Sequence, residues 1–63
     1  MVLTSRQVEI LRLVADGKTS EEIARDLRIS EVTVKWHIGN AMRTLGASSR
    51  AEAVATAMRL GLV

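Results

Sequence analysis

A lysine beside a tryptophan, in the stretch TVKWHIGN from Thr33 to Asn40, is where this chain of 63 residues has most to offer a partner. Trp36 is its only aromatic residue. With successive residues about 100° apart on a helix, Val34, Ile38, Ala41 and Leu45 share a narrow apolar arc with Met42 at its edge, and Trp36 points almost directly away. Val32, Lys35, Gly39, Asn40 and Arg43 lie beside it on the outward face. Such a face offers cationic charge, hydrogen-bonding groups and an aromatic surface, which is the chemistry of recognition. Bond-making chemistry lacks its parts: there is no paired acid and base, no metal-ligand cluster and no phosphate-binding glycine loop. His37 alone makes no zinc site, and there is no cysteine to help it. The expectation is a binding domain, not an enzyme, with no metal and no cofactor.

The rest of the chain must position that face. Its length suits one domain, residues 1–63, near the size where a single core is only just sufficient. The absence of cysteine fits a reducing compartment. No apolar run approaches the roughly 20 residues of a membrane span and no signal peptide is visible, so a soluble, cytoplasmic domain is expected. Charge is uneven: residues 1–31 carry five Lys/Arg against six Asp/Glu, whereas residues 32–63 carry four against one. The basic half contains the outward face, which suits a polyanion.

Start and stop signals divide the chain into four helices. Thr4 caps a first, from about Ser5 to Asp16, ending at Gly17. Thr19 and Glu22 form a capping-box pattern that opens a short second helix to about Leu27. Ser30 caps a third that runs to Leu45 with Gly46 after it, and Ser49 with Glu52 repeats the capping pattern for a fourth that closes at Gly61. In the first helix Val8, Ile10, Leu11, Leu13, Val14 and Ala15 cover over half the circumference, which predicts the central core element. Only Arg28, Ile29 and Ser30 remain between helices two and three, so these two cross steeply as a helix-turn-helix. Ile23, Ala24, Leu27, Ile29, Val34 and Ile38 have the spacing that motif needs, with the small Ala24 at the close approach. Arg28 stands where such turns often place glycine; a left-handed arginine would cost on the order of 1 kcal/mol, unless the turn takes another shape.

The motifs LTSRQVEIL, EEIA, ISEVTVK and SSRAEAV follow one another in an order and spacing that resemble the C-terminal DNA-binding domain of the LuxR (LuxR/GerE-type) bacterial transcription regulators, over essentially the whole chain. The resemblance implies an all-α, compact four-helix domain whose third helix enters the major groove and whose fourth makes a dimer contact. It also implies double-stranded DNA as partner, a homodimer on DNA, and a sensor or receiver domain N-terminal to this effector piece in the full-length protein. Carried over, the family's base-facing positions fall on Lys35, Trp36 and Gly39. A lysine there can donate to guanine O6 and N7, while Gly39 departs from the long polar side chain many members carry. Either DNA or Trp36 packs closely over that glycine, or it is a tolerated surface glycine.

Phosphate contacts are expected around this helix, from Thr33, Asn40 and Arg43, and from Lys18, Thr19 and Ser20 at the start of the second helix, where free N–H groups and the helix dipole favour an anion. Arg50 is offered two intradomain partners, Glu9 and Glu52, besides DNA. The fourth helix carries more apolar arc than one small bundle covers, and Val54, Ala55 and Met58 are the expected two-fold contact. The nearest rival is a sigma-factor promoter-binding region, which LTSRQVEIL and EEIA also suit but SSRAEAV does not. A protein-docking module using Trp36 is the rival of another class; it has no need of Lys35, Asn40 and Arg43 around the ring.

Overall fold

The computed structural model describes residues 3–63 and consists of α1 (Ser5–Ala15), α2 (Ser20–Leu27), α3 (Glu31–Leu45) and α4 (Arg50–Arg59). Each begins where a hydroxyl satisfies an otherwise orphaned backbone N–H: Thr4 accepts from the Gln7 amide, Thr19 from Glu22, Ser30 from Thr33 and Ser49 from Glu52. The Thr19–Glu22 box is reciprocal, as its sequence pattern predicts. A second reciprocal box joins Thr4 to Gln7. At α4 the pattern closes differently, because the Glu52 carboxylate accepts from the Ser48 amide at 2.7 Å, one residue ahead of the cap. Helices α1 and α4 end at Ala15 and Arg59, slightly before the expected Asp16 and Gly61.

Two apolar clusters make the core. Leu3, Leu11, Ala41, Leu45, Ala53 and Ala57 join α1, α3 and α4. Ile10, Ile23, Ala24, Val34 and Ile38 join α1, α2 and α3, and Met42 packs against both clusters. Ile10, Leu11, Ile23 and Val34 are completely buried, each stabilising the fold by about 1.5–3 kcal/mol relative to exposure. Helix α1 sits between the others, as its apolar arc predicts, and it shares that place with α3. Helix α3 contributes to both clusters as well, and both α1 and α3 pack closely against every other helix, whereas α2 and α4 approach each other through the Arg50–Ser20 side-chain hydrogen bond. Val8 packs on the first cluster and Leu13 and Val14 on the second, each half-buried, while Ala15 is exposed.

The turn between α2 and α3 is tight. Arg28 takes the left-handed conformation at φ 58° and ψ 44°, and the Arg28 and Ile29 amides both return to the Ala24 carbonyl. This is the αL turn, not the other shape the arginine allowed. It sends Ile29 back onto the second cluster and starts α3 across α2, with Ala24 and Val34 buried in the same cluster.

Candidate nucleic-acid interface

Helix α3 is held from beneath by Val34, Ile38, Ala41 and Leu45, all buried. The opposite face is therefore fixed in orientation by the core and open to solvent. Val32 is 76% exposed and Trp36 62%. The indole meets the half-buried His37 ring edge-on, at a centroid distance of 5.1 Å. Its outward placement is the one the helical spacing predicts.

The polar groups of this face are partly organised among themselves. The Lys35 ammonium lies 3.7 Å from the Glu31 carboxylate one turn earlier, and both are largely exposed. An exposed pair at that distance is weak, so the ammonium can leave it for a stronger acceptor. The Arg43 guanidinium donates to the Asn40 side-chain oxygen at 2.7 Å, which aligns two hydrogen-bonding groups at the far end of the face. Thr33 is half-buried and its hydroxyl shares a 2.7 Å hydrogen bond with Ser30 at the cap. Gly39 is half-buried, and a Cβ added there would meet nothing within 4 Å. Trp36 therefore does not pack over Gly39, which removes one of the two crowding explanations for a glycine in mid-helix.

At the start of α2 the expected anion contacts are placed less favourably. The Thr19 amide and hydroxyl are both engaged by Glu22, whose carboxyl is held below its usual range first of all by the Thr19 backbone hydrogen bond. Lys18 donates to Asp26 at 2.8 Å, and that hydrogen bond is the main cause that raises its pKa. Ser20 differs most from expectation: it is only 6% exposed, and its hydroxyl accepts from the Arg50 guanidinium at 2.9 Å. The Ser20 side chain is thus an internal anchor, and any anion contact it makes falls to its backbone. Arg50 pairs with neither Glu9 nor Glu52; Glu9 faces Arg6 at 3.3 Å, and Glu52 is taken by Ser48. The Arg50–Ser20 bond links α4 to α2 across 30 positions, a tie that no local pattern announces.

On α4, Ala53 and Ala57 are buried, Val54 is half-buried against the first cluster, and Ala55 and Met58 are exposed, Met58 by 59%. Leu60 adds a further exposed apolar group beyond the helix. An open groove of about 1000 Å³, lined by α1 and the end of α2, contains none of the α3 residues. Among the described residues no helix is long and apolar enough to cross a membrane.

The family model for "Bacterial regulatory proteins, luxR family" matches residues 1–57. The chain is 47% identical over 60 residues to the spore germination protein GerE of Bacillus subtilis, covering 95% of this chain and 81% of that protein. The solved structure of the transcription factor GerE superposes with a TM-score of 0.92 at 40% identity, covering 95% of this chain and 90% of that one. The transcriptional activator SolR of Ralstonia solanacearum is 44% identical over 62 residues, covering 98% of this chain but only 26% of SolR. The chain therefore spans most of GerE and about a quarter of SolR. These are regulators of transcription, not enzymes. The four-helix fold, the helix-turn-helix turn at Arg28 and these matches together show that the chain belongs to the luxR family of bacterial regulatory proteins, as a DNA-binding domain of a transcription regulator.

Proposed function

We propose that this domain reads duplex DNA sequence-specifically by placing the outward face of α3 in the major groove. The observation that carries the reading is the exposure of Trp36, beside Lys35 and near Arg43, on a helix whose other side is locked into the core. Lys35 donates to a base edge, Trp36 lies against a base or sugar, and Gly39 permits close approach. Arg43 with Asn40, Thr33, and the α2 start at Lys18, Thr19 and the Ser20 backbone contact phosphates and set the register. Two copies bind adjacent half-sites and meet through the exposed Ala55 and Met58, with Val54 at the edge of that contact. An N-terminal sensor or receiver domain controls the pair, in keeping with the greater length of SolR. A cytoplasmic location follows from this role.

Selection of bound sites from random duplex DNA tests the reading, followed by titration of the recovered site at several salt concentrations. Four to six phosphate contacts give a log–log slope of about −4 to −5. Lys35→Ala lowers affinity and relaxes preference at one base pair, by roughly 1–3 kcal/mol for a good base contact. Arg43→Ala weakens all sequences alike and flattens the slope by about one unit. A domain that recovers no preferred site at low salt contradicts the reading.

A further inference from the structure

Val32 and Trp36 present a surface that charge and hydrogen bonding do not explain. They lie four residues apart, on one face of α3, and expose 76% and 62% of their area. One turn apart, they make an exposed apolar strip on the N-terminal half of the helix. The cation beside it, Lys35, is partly balanced by Glu31 at 3.7 Å, so this end of the face is less charged than the end that carries Arg43. Val32 is β-branched and stiff, and it lies one helical turn before the base-facing Trp36. Gly39, on the same face, leaves open space, with nothing within 4 Å of where its Cβ would be, so the groove floor can come close.

The floor of the major groove is polar except for one group, the 5-methyl of thymine. Resting on the reading that α3 enters that groove, we propose that Val32 and Trp36 form an apolar reader of pyrimidine 5-methyl groups, so that the operator carries thymine where the strip lies. The ligand class is a 5-methylpyrimidine in duplex DNA. A 5-methylcytosine at the same place supplies the same methyl group, and unmethylated cytosine or uracil does not. Val32 thereby becomes a specificity-determining residue of the domain.

The probe is the duplex recovered by selection, with each thymine in turn replaced by deoxyuridine, which deletes the methyl and keeps every hydrogen-bonding edge. The native domain loses affinity about threefold to fivefold at one or two positions. Val32→Ala abolishes the response at one of them and Trp36→Ala at a position beside it, while Arg43→Ala keeps both responses. Val32→Thr, which retains one methyl, keeps part of the response, and thermal unfolding of each variant verifies the fold. Site selection with affinity indifferent to every deoxyuridine overturns the proposal and leaves the groove-binding reading intact. A methyl response that survives in both Val32→Ala and Trp36→Ala overturns it too, as does a Val32→Ala variant with unchanged DNA affinity, the outcome expected if the strip instead covers a protein partner. Equal binding to all duplexes defeats the groove-binding reading and the proposal with it.

Discussion

Gly39→Ala separates what α3 does for the fold from what it does for DNA. Gly39 lies in the helix interior, and a Cβ there meets no atom within 4 Å. No steric penalty opposes the gain in helix propensity, which is about 0.8–1 kcal/mol for alanine over glycine. For a chain of 63 residues, an unfolding entropy of about 2.1 cal/mol/K per residue turns that gain into a Tm rise of about 7 °C. The effect on DNA runs the other way: the new methyl stands between the helix and the groove floor, and affinity for the selected duplex falls. Thermal unfolding followed by circular dichroism, with titration of labelled duplex in the same buffer, reads both. A Tm that stays the same or falls refutes the open-space argument. A raised Tm with unchanged or improved affinity refutes the placement of Gly39 against DNA.

Arg28→Gly relieves the left-handed backbone at φ 58°; about 1–2 kcal/mol of strain is removed and about 0.4–1 kcal/mol returns through the freer unfolded chain, so a net gain of roughly 0.5–1 kcal/mol is expected in denaturant unfolding. The Glu22 carboxyl has its pKa lowered in the folded state by the Thr19 hydrogen bonds, so its stabilising effect is fully present above its ordinary value and is lost as pH falls through the lowered one; Glu22→Gln, which can still accept from Thr19, removes that acid dependence from the unfolding midpoint. Met58→Asp leaves stability unchanged, because the side chain is 59% exposed, and abolishes cooperative occupation of two half-sites while sparing single-site affinity. Val54→Asp is the less discriminating variant, since Val54 is half-buried against the core and a charge placed there also destabilises the fold. Stable interfaces bury about 1,200 Å² or more, and a contact confined to one face of α4 is too small for that, so the isolated domain sediments as a monomer at micromolar concentration.

What the chain discloses of its own structure follows from how local each determinant is. Helix starts are legible because a cap acts within three residues: Thr4, Thr19, Ser30 and Ser49 each bond the amide three positions on. The buried side of α3 is equally legible, because Val34, Ile38, Ala41 and Leu45 repeat at helical spacing, and the outward face follows by exclusion. Centrality is not local. Helix α1 has the wider apolar arc, yet α3, with 15 residues, reaches both clusters. Ser20 reads as a surface hydroxyl at a helix start, and only Arg50, distant in sequence and brought close by the packing of α4, makes it an internal anchor. The Arg28 backbone is not legible for a related reason: sterics set what a left-handed arginine costs, but only the crossing of α2 and α3 shows that the turn accepts the cost.

Collisional quenching of Trp36 by acrylamide tests most directly whether the outward face of α3 is the DNA surface. The chain has one tryptophan, so its fluorescence reports this site alone, and at 62% exposure the free domain is strongly quenched. With the selected duplex at saturation, verified by anisotropy of a label on the DNA, quenching falls several-fold because the groove covers the indole. Quenching that stays at the free-domain value while the duplex is bound contradicts the account and places the DNA on another face.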